Sequence, residues 1–437
     1  MGVVEVKVEN LVEQNMMDYS AYAILQRAIP DLRDGLKPGQ RRILYTMYKE
    51  KATKFTKSAN IEGAVMKIHP HGSTYGTAVN MVQKDRNLIP LIEGKGNFAQ
   101  VTSRDLQPGA SRYTEMRLSE ASIEMFKGLN KNIVDIIPNY DGSMTMPEVL
   151  PVKYPVLLTQ PSKGIAVGMA SNIPSFNVKE LVNAIEKYIK EGKRNILVPD
   201  FATGGYIVNN KEVFKNINLK GTGTIQLRGK AEIVGNTIKI TEVPFSSTRE
   251  AIIDKIIEFA KSGELKEVSS AKDLTGLKGM LVEVKAKRGT NMELLLEKLY
   301  QLTPLQSTFS TNLNVIVDKS PKVIGVWEAI DEWIKWRKET IIRGYTFDID
   351  KLSKDLHFLR GLEKVLLDID EAIEIIRRSK AELIEPNLMK KFNIDEEQAK
   401  EVADMKLRNI NREYIINKIK DIEKLEETIN DYKDLIT

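Results

Sequence analysis

The chain has 437 residues, 42% hydrophobic and 29% charged, carries a net charge of +5 and contains no cysteine. Disulfides, thiolate metal sites and cysteine nucleophiles are therefore excluded, while the length suits about three domains of roughly 150 residues with real cores. No run approaches the roughly 18 apolar residues of a membrane span. The start, Met1 to Val6, reads neither as a signal peptide nor as a myristoylation motif, so a cytoplasmic location away from membranes is expected.

The modest net charge hides a local excess. From Arg27 to Lys57 the basic residues Arg27, Arg33, Lys37, Arg41, Arg42, Lys49, Lys51, Lys54 and Lys57 face only Asp31, Asp34 and Glu50. Such an excess can neutralise several phosphates and make binding salt-dependent; a solvated lysine-rich helix face is the other reading. Up to about Leu150 the pattern predicts short helices joined by Pro/Gly turns. Gly39 to Lys51 carries Ile43, Leu44 and Met47 at helical spacing, and Ala59 to Ile68 carries Ile61, Ala64, Val65 and Ile68. His69-Pro70-His71-Gly72 breaks the chain, and a further helix follows from Ser73 with Ala78, Met81 and Val82 inward. Two helices around a Gly-containing turn form an arrangement whose second helix can enter a major groove.

The second zone mixes short strands with helices. Thr224–Arg228 and Thr237–Thr241 alternate with period two, Met280–Val284 is a further strand candidate, and Arg249–Phe259 is amphipathic through Ile252, Ile253, Ile256, Ile257 and Phe259. The third zone is helical and charged. Val326, Ile330, Trp333 and Ile334 mark a stripe, one long segment runs from Arg337 past Arg378, and another from Asp395 to Leu435. Ile384-Glu385-Pro386-Asn387 interrupts them, which suggests an antiparallel coiled-coil arm with a small helical tip.

Reversible cutting of a nucleic-acid strand without a high-energy cofactor must keep the phosphodiester energy in a covalent link. A tyrosine phenol serves as both nucleophile and leaving group, and the transition state needs positive charge beside it. Tyr113 follows Arg112, with Arg117 close in sequence, although any single tyrosine taken alone is more often a packing residue.

A set of collinear motifs decides between these readings. They are Asp18–Ala23, Arg27–Pro38 (RAIPDLRDGLKP), Arg41–Leu44, His69–Gly72, Gly94–Phe98, Ser111–Glu115 (SRYTE), Gly164–Pro174 (GIAVGMASNIP), Pro199–Gly205, Gln398–Ala399 and Met405–Arg408. Together they resemble the catalytic core of the type IIA DNA topoisomerase A-type chain, the family of bacterial DNA gyrase and topoisomerase IV. The resemblance implies an α+β multidomain chain: a winged-helix DNA-gate domain (1–150), a mixed α/β tower domain (151–320), and a long antiparallel coiled coil with a helical C-gate (321–437). It implies the DNA cleavage and rejoining component of an ATP-dependent enzyme, making a transient 5′-phosphotyrosyl double-strand break in duplex DNA. The partners it implies are a second copy, joined through the DNA gate and the C-gate, and an ATPase/Toprim B-type subunit in an A2B2 assembly. Mg²⁺ and ATP would both reside on that B-type partner.

By the same resemblance Tyr113 is the nucleophile and Arg112 stabilises the scissile phosphate. Arg27, Arg33, Lys37, Arg41, Arg42, His69 and His71 fall on positions that line the DNA, and Ile173 on the wedge that enters between base pairs. No metal site is expected in this chain: His69 and His71 have no third histidine or cysteine near them. The acidic pairs Asp348/Asp350 and Asp368/Asp370 read as solvated helix charges, and no Gly-x-x-x-x-Gly-Lys-Ser/Thr loop is present.

Some positions depart from the family pattern. The stretch Ser73–Thr77 looks short and lacks an acidic residue, Gln40 replaces a usual histidine, and the run Ala99–Ala110 differs. The chain also ends soon after the returning helix, without the DNA-wrapping domain of gyrase, so relaxation and decatenation are expected over negative supercoiling. The alternative of a different class is a non-catalytic winged-helix DNA-bridging protein dimerised by a coiled coil. It would use Arg27, Arg41 and Arg42 but have no need of Tyr113.

Overall fold

The computed structural model describes residues 8–70, 74–208, 210–366, 368–406 and 412–436. The chain divides into two compact units, one of Met1–Lys127 with Val134–Arg337 and one of Gly128–Ile133 with Lys338–Thr437. As the sequence predicts, helices and antiparallel sheets are combined.

The first unit opens with helix α1 (Val8–Ala23), a wide-turn helical segment Ile24–Ala28, and helices α2 (Pro38–Lys49), α3 (Ser58–Ile68) and α4 (Thr74–Val82). Pro38 starts α2 where its missing N–H costs nothing, and the Gln40 side chain accepts the Lys37 N–H at 3.0 Å, so this glutamine holds the helix entry. The predicted inward residues are buried, Ile43, Leu44 and Met47 on α2, Ile61, Val65 and Ile68 on α3, Ala78, Met81 and Val82 on α4, except for Ala64 on α3, which is half-buried. The three helices pack on one another. Beside them lies an antiparallel sheet in which β3 (Glu115–Leu118) runs between β1 (Thr56–Lys57) and β2 (Ile92–Lys95).

Further along, the strands Ser162–Ala166, Met169–Ile173, Gln306–Asn312, Thr222–Arg228 and Tyr206–Ile207 form one sheet in that order. Its core holds Phe176, Ile217, Ile225 and Phe309, and the first turns of the long helix Val326–Leu366 join it through Val326, Trp327 and Ile330. A second sheet, Lys230–Val234, Thr237–Glu242, Val282–Ala286 and Val268–Asp273, is backed by the helices Arg249–Ser262 and Met292–Leu302. Two expectations are corrected here. Ile257 does not turn inward but is exposed, because it stands one residue, and hence about 100°, beyond buried Ile256. The third strand begins at Val282 rather than Met280, because a turn closed by Gly276 and Gly279 occupies the preceding residues.

In the second unit the later part of the long helix pairs with the helix Arg412–Ile436. Leu359 and Leu362 pack on Ile422, Arg360 hydrogen-bonds Glu426, and the rings of Tyr345 and Tyr432 lie 5.0 Å apart. Low numbers meet high numbers throughout, so the two helices are antiparallel. The tip is a cluster of Val365, Ala372, Leu388, Phe392, Ala399 and Val402. Gly361 lets it close, since a Cβ there would fall 2.7 Å from Gln398, whose amide donates to the His357 carbonyl at 2.6 Å.

Three sequence expectations fail in this unit. The long segment does not continue past Arg378 as one helix, because Val326–Leu366 ends and a new helix Ile369–Arg378 starts after Asp368. Pro386 does not break the chain; it sits in the first turn of the helix Ile384–Phe392, where no N–H is needed. Asp348 is not a solvated charge, for it is half-buried and pairs with Lys131 at 2.6 Å. Leu407 and Arg408 of the last motif lie outside the described residues.

Candidate active site

The turn that carries Tyr113 is held from two helices. The hydroxyl of Thr114, buried just ahead of β3, lies within hydrogen-bond distance of Ser58 Oγ at 2.8 Å and of the Tyr75 hydroxyl at 2.9 Å. The Thr114 carbonyl accepts the Ser58 N–H at 3.0 Å, while the Ser111 carbonyl accepts the Ala59 N–H at 3.1 Å. Tyr75 on α4 also donates to the Gly109 carbonyl, and the Tyr113 N–H closes the turn on Ala110 at 2.8 Å. On this fixed turn the Tyr113 side chain is 69% exposed. It packs no core, which removes the packing role open to an arbitrary tyrosine. The Arg112 guanidinium lies over its ring, 4.7 Å from the centroid. Arg117 contributes no free charge, because it is paired with Glu93 across the sheet at 2.7 Å.

The run Ala99–Ala110 leading to this turn is tied to the helix Arg249–Ser262. Ser103 Oγ and the Arg104 N–H both donate to Glu250, Arg104 reaches Asp254 at 3.1 Å, and the Arg249 N–H meets the Thr102 carbonyl at 3.0 Å.

Four of the predicted basic residues meet elsewhere. Arg27, Lys37, Arg42 and His69 line one cleft of about 300 Å³ together with Tyr22 and Gln26. The cleft also touches Thr74, Thr77 and Asn80 of α4, so that one helix borders the cleft and braces the tyrosine turn through Tyr75. Arg112 and Tyr113 do not line the cleft. The Tyr22 hydroxyl is hydrogen-bonded to His69 Nε2 at 3.2 Å, and Arg42 donates to the Gln26 side chain at 3.2 Å. Lys37 Nζ donates to the Lys163 carbonyl at 2.5 Å, and burial, reinforced by the charge of Arg86, pushes its amine down to about 8. His71 lies outside the described residues.

Two of the predicted phosphate ligands are ion-paired within the fold, and with Arg42 and His69 they line a neighbouring cleft of about 510 Å³. Arg41 is buried and reaches both oxygens of Asp34, at 2.5 and 2.8 Å, and the Leu36 carbonyl at 3.1 Å. Asp34, fully buried, also accepts the Leu36 and Leu150 N–H groups. Arg33 makes a two-pronged pair with Asp31, both contacts 3.0 Å, and a third to Glu148 at 3.1 Å. Buried charges must be paired, and Asp31 and Asp34, already visible within the basic run, are the partners.

Ile173 is also corrected. It is fully buried in the core of the five-stranded sheet and cannot enter a duplex. The same hairpin presents Ile165 instead, 77% exposed, with Val167 beyond it. Gly164 lets this hairpin press on the chain at Ala28, since a Cβ would come 2.1 Å from the Ala28 carbonyl oxygen. The signal available in sequence was parity. Ile165 pairs with Ala170 on the outward face, whereas Ile173 shares its face with buried Ser171.

Among the described residues no group of three or more His, Asp or Glu is placed to hold a metal ion, and no helix is long and apolar enough to cross a membrane.

The site thus combines an exposed tyrosine on a braced turn, an arginine stacked on it and a separate basic cleft. Residues 27–437 match the family described as the A-type chain of DNA gyrase/topoisomerase IV, and the chain belongs to that family. It is 35% identical over 455 residues to the DNA gyrase A protein of Leptospira biflexa, covering 100% of this chain and 54% of that relative. The DNA gyrase A protein of Clostridium acetobutylicum is 36% identical, over 93% of this chain and 51% of the relative, and that of Staphylococcus aureus 36%, over 91% and 47%. The chain thus spans about half the length of the curated relatives it matches.

Proposed function

We propose that this chain is the DNA-cutting and rejoining component of a type IIA topoisomerase, with Tyr113 as nucleophile. The observation that carries the reading is the 69% exposed phenol on a turn clamped through buried Thr114, with Arg112 stacked on it. The phenol oxygen bonds to phosphorus, the bond from phosphorus to the 3′-oxygen breaks, and the 5′ end stays on the protein. The proton lost from the phenol is balanced by one gained on the departing 3′-hydroxyl. Reversal restores the strand without external energy. Arg112 offers a forked donor to the charge that develops on the phosphate, and Arg27, Lys37, Arg42 and His69 hold neighbouring phosphates in the cleft.

The helix pair α3 and α4 with the sheet β1–β3 has the parts of a winged helix, and residues 1–150 act as the DNA gate. Residues 151–320 form the tower, and the antiparallel helices of 321–437 carry the C-gate. The working assembly is A2B2, acting on duplex DNA in the cytoplasm. ATP and Mg²⁺ would be held by the B-type partner, where ATP would supply the energy for strand passage and Mg²⁺ positive charge near the scissile phosphate. Ile165 rather than Ile173 takes the wedge role.

The test is denaturant trapping with duplex DNA, a B-type partner and Mg²⁺. Wild-type chain is expected on DNA 5′ ends, and Tyr113→Phe is expected to bind DNA with no adduct. An unchanged adduct yield from Tyr113→Phe would remove the site, and no adduct from wild type would leave the bridging reading. Relaxation, decatenation and supercoiling are scored in the same reconstituted system.

A further inference from the structure

At the base of the hairpin Ser162–Ile173 lies a groove of about 370 Å³ that the cleft does not include. Its polar lining includes Arg86, Lys163, Ser162, Ser247, Thr308 and Ser310. Among the described residues no carboxylate lines it, so the groove is suited to an anion and not to a cation. Ser162 Oγ and Ser247 Oγ are buried without hydrogen-bond partners, and Ser247 is only 7% exposed. An unsatisfied buried hydroxyl is costly, and both serines line the groove. The helix Arg249–Ser262 that begins beside it is already capped by Thr248, whose hydroxyl accepts the Ala251 N–H. The groove's donors are therefore side chains.

Charge points the same way. Arg86 Nε donates to the neutral Gln83 side chain at 3.0 Å, and its guanidinium is held below its usual range by burial, opposed in part by Asp85. It in turn acts on Lys37, whose amine sits at about 8. A bound anion would relieve both.

We propose that this groove seats a backbone phosphate of duplex DNA outside the cleavage cleft. The proposal rests on the reading of the chain as a DNA-cutting protein, to which it adds a second contact along the same duplex. Anisotropy titrations of the whole chain compare a short duplex, covering the cut site alone, with one extended by about one turn (10 bp) on each side. The pair Arg86→Gln and Lys163→Gln is expected to weaken the extended duplex about tenfold. The slope of log affinity against log salt should fall by about 1 to 2, with the short duplex bound no more weakly, since losing the charge of Arg86 lets Lys37 hold its proton, and with the melting temperature unchanged. Ser247→Ala is expected to melt no lower than wild type yet bind the extended duplex several-fold more weakly. Equal losses on both duplexes, or an unchanged salt slope, would overturn the proposal. So would a melting shift with inorganic phosphate alone that Arg86→Gln abolishes while extended-duplex binding is kept, since the site would then take free anion. Anisotropy requires no cleavage. A chain that shows these slopes but never forms an adduct sinks the cutting role alone, and one that forms adduct with unchanged slopes sinks the groove alone.

Discussion

Lys37 shows how a single side chain can carry both a cost and a use. Burial and the charge of Arg86 bring its amine to about 8, against an ordinary 10.5. Between those values the unfolded chain holds a proton that the folded chain has released, so this group makes folding more favourable as pH rises through that window. DNA binding has the opposite sign. A phosphate in the cleft favours the ammonium form, so binding takes up a proton near pH 8 and affinity falls as the amine neutralises. Wild-type affinity is expected to drop several-fold between about pH 7 and pH 9.5, and Lys37→Met should flatten that dependence while lowering affinity at about pH 7. Titrations of both proteins at constant ionic strength check it; parallel curves would remove Lys37 from the cleft's chemistry. The position of Lys37 was legible from its motif, but its low pKa was not, because Arg86 and the Lys163 carbonyl reach it only through the fold. For Arg41 and Arg33 the basic run showed the charges, but not the two-pronged pairs that the fold makes with Asp34 and Asp31.

Elements were legible where one face is buried and blurred where it is not. The helices α2 to α4 follow their apolar spacing because all three turn that spacing into a shared core. In the second unit charged residues dominate, so neither the break after Leu366 nor the start at Ile384 leaves a periodic signature. The hairpin Ser162–Ile173 is the instructive case. Its motif gave the right segment, yet choosing between two isoleucines required knowing which strand face looks outward. The two substitutions therefore have different expected outcomes. Ile165→Ala leaves the melting curve near wild type but reduces DNA bending, read as end-to-end energy transfer across a labelled duplex, and lowers adduct yield several-fold. Ile173→Ala removes packed methyls from a full core and costs about 2–5 kcal/mol of stability, with normal bending by the molecules that stay folded. Bending lost with Ile173→Ala at full stability, and kept with Ile165→Ala, would return the wedge to Ile173.

At the scale of the whole molecule, each chain presents one Tyr113, and one phenol can hold one DNA end. A double-strand break thus demands two chains related by symmetry, each cutting one strand. The two long antiparallel helices are built from other residues than the basic cleft, and this much was visible as two proline-poor segments in the sequence. The dependence on pairing gives a test that a bridging protein would not pass. Co-expressing wild type with a differently tagged Tyr113→Phe chain, and isolating the mixed dimer by both tags, yields assemblies with a single nucleophile. Trapped with duplex DNA, the B-type partner and Mg²⁺, the mixed dimer is expected to leave nicks with one protein attached, whereas the wild-type dimer leaves linear DNA with a protein on each 5′ end. Linear product from the mixed dimer at the wild-type level would mean that one chain cuts both strands, and the symmetric scheme would fall. Nicks alone from both dimers would show two nucleophiles that never act on one site, and would limit the chain to single-strand passage.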